Sequence, residues 1–86
     1  MQVFLHRNWE KQYDKLNAEI QEKVDERLQI FLQNPHHQLL HNHKLKGEWQ
    51  GYRSINITGD YRALYREVED GVAEFYTVDT HSNLYD

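Results

Sequence analysis

Between Pro35 and Arg66 the chain concentrates the side chains that could handle an anion. Lys44, Lys46, Arg53, Arg62 and Arg66 are opposed there only by Glu48 and Asp60, an excess of three positive charges, and His36, His37, His41 and His43 lie in the same stretch. Histidine titrates near ~6.5, so it can give or take a proton at neutral pH. Arginine offers a planar donor fork that matches phosphate oxygens. Segregated charge of this kind makes a local anion site even on a chain whose net charge is −4. From Glu67 to Asp86 there are six carboxylates and no Lys or Arg. Negative charge beside a bound anion is unfavourable, so this tail is expected to face away from the basic cleft. A metal site is the rival reading of the four clustered histidines. They are adjacent or near-adjacent, cysteine is absent and no carboxylate partner is evident, which makes an irregular ligand set. No metal or other cofactor is expected.

The elements that must position these groups can be read from periodicity. With 86 residues the chain makes one domain, residues 1–86, with a thin core. Hydrophobic residues at 38% and aromatics at 13% argue against disorder. Met1–Trp9 has no long apolar run and carries His6 and Arg7, so neither a signal peptide nor a membrane span is expected there, and the expected location is cytoplasmic. Gln2–Leu5 reads as a short strand. Trp9, Tyr13 and Leu16, then Ile20, Val24, Leu28, Phe31 and Leu32, recur at helical spacing. Two helices are therefore predicted, over Asn8–Leu16 and Ala18–Gln33, with Asn17 capping the second and Asn34-Pro35 ending it. The apolar stripe is read as a core face. His36–Gln50 is irregular. Tyr52–Ile57 and Tyr61–Arg66 alternate with a period of two about a turn at Thr58-Gly59-Asp60, Asp70-Gly71 signals a hairpin, and Val72–Val78 forms the last strand. On the second of these strands Arg62, Leu64 and Arg66 share one face, and Tyr61, Ala63 and Tyr65 the other. The expected fold class is α+β: two N-terminal helices packed on a mostly antiparallel sheet of about four strands.

Three ordered motifs carry a family resemblance. The stretch His43-Lys-Leu-Lys-Gly-Glu-Trp-Gln-Gly-Tyr-Arg53 resembles the signature His-x-Leu-x-Gly-x-Trp-x-Gly-Tyr-Arg of YafQ-type toxins, a branch of the RelE/ParE superfamily. Asp60-Tyr61-Arg62-Ala63-Leu64-Tyr65 resembles the superfamily strand motif Tyr-Arg-x-x-Tyr, and Thr80-His81-Ser82-Asn83-Leu84-Tyr85 is similar to the terminus Thr-His-x-x-Leu-Phe. The order of elements along the whole chain matches the RelE-like, microbial-ribonuclease-like fold. The resemblance implies a toxin of a type II toxin–antitoxin system: an endoribonuclease that cuts mRNA on the ribosome without a metal and inhibits translation. It also implies a cognate antitoxin partner, in a heterotetramer or larger assembly. In that reaction the 2′-hydroxyl attacks the adjacent phosphate, leaving a cyclic or 3′-phosphate and a free 5′-hydroxyl.

The same resemblance distributes roles. His43 and His81 match the branch's functional histidines, one as base and one as acid, both expected at the same end of the sheet. Asp60 matches an acidic residue that orients or activates groups at the cleavage site, although aspartate is favoured in turns for its own sake. Arg62 matches a phosphate-binding arginine of the RelE branch, and Tyr85 stands where a terminal aromatic stacks on a base or acts through its hydroxyl. Lys44 and Lys46 are candidate phosphate contacts. Arg53 either touches RNA backbone or pairs with Asp60. Trp49 and Tyr52 are read as structural anchors. Asn56 is the departure: YafQ-type toxins often carry histidine there, and asparagine can hydrogen-bond RNA but cannot shuttle a proton. Either Arg62 covers part of that work by charge, or cleavage is slower or lost. Two rivals keep the fold. ParE-type toxins poison DNA gyrase, and a cleavage-deficient homologue would act mainly by binding its antitoxin.

Overall fold

The computed structural model describes residues 1–85. Each helix starts where a side chain accepts an otherwise unpaired N–H. His6 Nδ1 accepts from Asn8 N at 3.0 Å and opens α1 (Arg7–Asp14). Asn17 Oδ1 accepts from Ile20 N at 2.9 Å and opens α2 (Ala18–Gln33). The second helix leaves the helical region at Asn34, as the following proline demands. Before α1 runs β1 (Gln2–Leu5), and after α2 come β2 (His43–Lys44), β3 (Arg53–Asn56), β4 (Tyr61–Glu69), β5 (Val72–Thr80) and a terminal helical turn, α3 (His81–Tyr85).

The sheet has five strands in the order β1-β5-β4-β3-β2. β1 lies parallel to β5, and the other pairs are antiparallel. The expected count of about four missed β2, whose two residues pair His43 with Ser54 and Lys44 with Arg53 along the far edge. A two-residue strand is too short to show alternation. β5 also runs two residues past the expected end at Val78, to Thr80.

One face of the sheet carries the helices. Trp9, Val24 and Phe31 pack there with Ile55, Ile57, Ala63, Tyr65, Ala73, Phe75 and Val78. The Phe31 ring meets Tyr65 at 4.9 Å and Phe75 at 5.1 Å, both edge-on, a geometry that adds to the stabilisation from burial. On the opposite face Leu64, Ser54 and Thr77 are also buried, although no helix of the α1–α2 pair covers them. Arg62, Leu64 and Arg66 lie on that second face as expected, paired in register with Asp79, Thr77 and Glu74.

A polar bridge ties the loop after α2 to the sheet. Asn42 Nδ2 donates to Pro35 O at 2.9 Å and to the Tyr65 hydroxyl at 2.7 Å, while Asn42 Oδ1 accepts from Arg53 Nε at 2.7 Å. Tyr65 is 1% exposed, and burial raises its hydroxyl pKa against the lowering effects of Asn42 and Arg53. A raised folded-state value means that stability is fully present below the unfolded value, ~10, and is lost as pH climbs through the folded one. Urea unfolding between pH 9 and 11 should therefore lose less stability in Tyr65→Phe than in the wild type. Equal losses would contradict the burial of this hydroxyl as the cause.

Candidate active site

The turn from β3 to β4 is built by Thr58, whose Oγ1 accepts from Asp60 N at 3.2 Å and Tyr61 N at 3.1 Å. That local closure aims the Asp60 carbonyl at the end of β5, where it accepts from His81 N at 2.8 Å. The first residue of α3 is thus clamped to the turn. Asp79 Oδ1 accepts from Thr80 N at 2.7 Å and from Asn83 Nδ2 at 2.9 Å, and Thr80 Oγ1 accepts from Asn83 N at 3.2 Å. Trp49 Nε1 holds the far end by donating to Leu84 O at 2.9 Å. Such tertiary bonds are what a five-residue helix needs, because it cannot hold itself together in water.

His81 and Tyr85 stand one turn apart on α3, with ring centroids 4.7 Å apart. His81 is exposed; the Tyr85 hydroxyl is buried without a hydrogen-bond partner among the described residues. Beside them a row crosses the second face of the sheet: Asn56 pairs with Arg62, and Arg62 with Asp79. The Arg62 guanidinium is folded over its own turn, with NH1 donating to the carbonyls of Thr58 (2.9 Å), Tyr61 (3.1 Å) and Gly59 (3.2 Å). The Asp60 side chain is exposed at the same turn. Asp60, Arg62, His81, Tyr85 and Asn56 therefore gather at one end of the sheet, joined by Asp79. Asp79 was missed in the sequence because nothing marks it beyond its place two residues before His81.

His43 stands apart. Its strand is separated from β5 by β3 and β4, three inter-strand steps or roughly 14 Å. By its register with Ser54 it lies on the same face as the row, but at the edge. Its Nδ1 lies 2.8 Å from His41 O. A carbonyl can only accept, so Nδ1 carries the proton, and a neutral ring presents a basic Nε2.

The remaining cations divide. Lys46 is exposed ahead of the turn that carries Trp49. Lys44 and Arg53 line a groove of about 490 Å³ with Gln50, Gly51, Tyr52 and Glu67, away from the Asp60–His81 clamp. Arg53 does not pair with Asp60; its Nε bonds Asn42, because its register with Tyr65 puts it on the helix-bearing side. Glu67 corrects the expectation that the acidic tail avoids the basic groove. Strand alternation carries it to the same side as Tyr65, next to Arg53. Glu74 pairs with Arg66 at 3.4 Å, and Glu69 and Asp70 lie at the opposite hairpin. Among the described residues no group of three or more His, Asp or Glu side chains converges as a metal site would.

Trp49→Phe should keep the ring packing but lose the bond to Leu84 O, worth about 1 kcal/mol. Amide hydrogen exchange across His81–Leu84 should then speed up about five-fold, a factor that follows from that energy, with core amides unchanged. Unchanged protection of α3 would contradict the anchoring role.

The fold is shared with solved toxins. Over 98% of this chain and 97% of theirs, YafQ from E. coli strain BL21(DE3) superposes with a TM-score of 0.81 at 18% identity. A YoeB/ParE toxin from Agrobacterium tumefaciens gives 0.77 at 25% identity, covering 94% and 99% of the two chains. The toxin–antitoxin complex RelBE2 from Mycobacterium tuberculosis gives 0.75 at 23% identity over 93% and 96%. No curated protein matches the chain significantly. A family model does, that of the ParE toxin of type II toxin–antitoxin systems, over residues 3–85. With nearly its whole length matched, the chain belongs to the ParE toxin family, within the RelE/ParE superfamily, and is a toxin of the type II toxin–antitoxin class.

Proposed function

We propose that this toxin is an endoribonuclease that cuts mRNA on the ribosome, without a metal, and so inhibits translation. The observation that carries the reading is the 2.8 Å bond from His81 N to Asp60 O, which sets an exposed histidine beside a turn whose neighbouring row holds Arg62. Phosphodiester transfer needs a base for the 2′-hydroxyl proton, cationic donors on the phosphorane and an acid for the leaving 5′-oxygen. His43 offers Nε2 as the base, His81 supplies the proton to O5′, and Arg62 turns from its carbonyls to the phosphate. The O2′–P bond forms as P–O5′ breaks, giving a cyclic phosphate and a 5′-hydroxyl. O2′ and O5′ sit on one phosphorus, so both histidine side chains would have to turn inward and meet a single phosphate held over the Asn56–Arg62 row. Lys44 and Lys46 add phosphate affinity. Arg53 contributes by holding Asn42 and the loop that carries His43. Tyr85 would stack on a base through its half-buried ring, its hydroxyl being buried.

The toxin works in the cytoplasm, where its substrate is, and is restrained by a cognate antitoxin in a heterotetramer or larger assembly. Solved complexes of related folds, DinJ–YafQ from E. coli among them, support that partner. Gyrase poisoning is the second reading. It is favoured by the ParE family match, by Asn56 where a proton-shuttling histidine would sit, and by the engagement of Arg62 with its own turn.

Primer extension on a translating mRNA, with and without ribosomes, tests the proposal. Wild-type protein should give ribosome-dependent cuts, and His81→Ala should cut about 100-fold less or worse, the loss expected for a general acid. Growth arrest by wild-type protein without any cuts would move the target to gyrase.

A further inference from the structure

A β-bulge on the second face of the sheet places a tyrosine that no motif marks. In the β4–β5 register Leu64 faces Thr77 and Tyr65 faces Phe75, so Tyr76 is the extra residue. Bulges re-aim side chains, and they are common beside active sites. Here Phe75 stays in the core, while the Tyr76 ring meets Tyr52 at 6.0 Å and Trp49 at 6.1 Å. Trp49 and Tyr52 are themselves 5.4 Å apart, edge-on. The Arg66 guanidinium lies 5.8 Å from the centroid of the Tyr52 ring. All three rings are half-buried, and Arg66 is exposed.

We infer that Tyr76, Tyr52 and Trp49, with Arg66 at their margin, form a stacking platform for a base of single-stranded RNA outside the scissile pair. The inference rests on the endoribonuclease reading and extends it. Rings and a guanidinium on one surface hold single-stranded nucleic acid by stacking and by charge, with little sequence preference. The platform is continuous with the candidate site, because Trp49 also bonds Leu84 of α3 and Tyr76 lies on β5 four residues, or about 13 Å, before that strand ends at Thr80, the residue preceding His81. A base there would therefore belong to a nucleotide other than those at the cut. The Arg66–Glu74 pair is no barrier: with Arg66 half-exposed such a bond contributes little, and a phosphate can replace it. The three rings also pack on one another, which a purely structural role would explain, so packing and stacking must be separated.

An uncleavable six-nucleotide 2′-O-methyl RNA, titrated while tryptophan emission is followed, makes that separation. Trp9 is 2% exposed, so a binding signal comes from Trp49. Tyr76→Leu should weaken binding roughly ten-fold, within the range for losing one stacked base, and Tyr76→Phe should stay within about two-fold, since it keeps the ring. An oligonucleotide with abasic positions should bind wild type as weakly as Tyr76→Leu and show no further loss with that variant. Arg66→Gln, an exposed change that leaves the core alone, should weaken binding and flatten its salt dependence. Equal affinity in wild type and Tyr76→Leu, or an equal further loss on abasic RNA, would overturn the platform, as would no binding by wild type. If wild type and Tyr76→Leu cut ribosomal mRNA with the same KM, the platform fails and the nuclease reading stands. If wild type does not cut, the nuclease reading itself fails.

Discussion

The bond from His81 N to Asp60 O is the constraint on which the rest of the site depends. It joins two residues 21 apart in the chain, one in a turn closed by Thr58 and the other the first residue of α3. Without it, α3 would keep its bonds to Asp79, Thr80 and Trp49 but lose the tie between its first residue and the turn. With it, His81 and Tyr85 are held at the same end of the sheet as Arg62 and Asn56, while the His81 imidazole stays exposed. The site is thus fixed by backbone geometry, and its reactive side chains remain largely free of one another.

The sheet divides its labour between faces. One face is a conventional core, with two helices laid on Ile55, Ala63, Tyr65 and Phe75. The other buries Leu64, Ser54 and Thr77 under no long helix, beneath a face where loop aromatics, a bulged tyrosine and the terminal helical turn gather. A thin core of this kind leaves little apolar surface to spare. The side chains that complete the second face are therefore the ones next to the candidate site, and changes there should disturb packing and chemistry together.

Much of the scaffold was legible in the sequence because it rests on local signals. β1 and α2 fall on the expected residues, Asn17 caps α2, and Asp70-Gly71 makes the hairpin, with Gly71 in the left-handed region at φ 75°. What was not legible depends on contacts between distant residues. β2 is too short to alternate, and α3 is too short to show a helical period. Arg53 pairs with Asn42 because of a register that no local pattern encodes. For the same reason Asp79 entered the row unmarked, Glu67 turned toward Arg53, and Tyr76 was moved by a bulge. The motif residues at Asp60, Arg62 and His81 do converge, whereas His43 is left at the sheet edge.

On the proposed nuclease reading, the RNA's own 2′-hydroxyl is the nucleophile. A ribosome-bound mRNA carrying one 2′-deoxynucleotide immediately 5′ of a mapped cut tests this directly. Cutting at that bond should disappear, and cuts in unmodified mRNA should leave a 5′-hydroxyl and a cyclic or 3′-phosphate. Continued cutting at the deoxy position, or products ending in a 3′-hydroxyl, would contradict that reading.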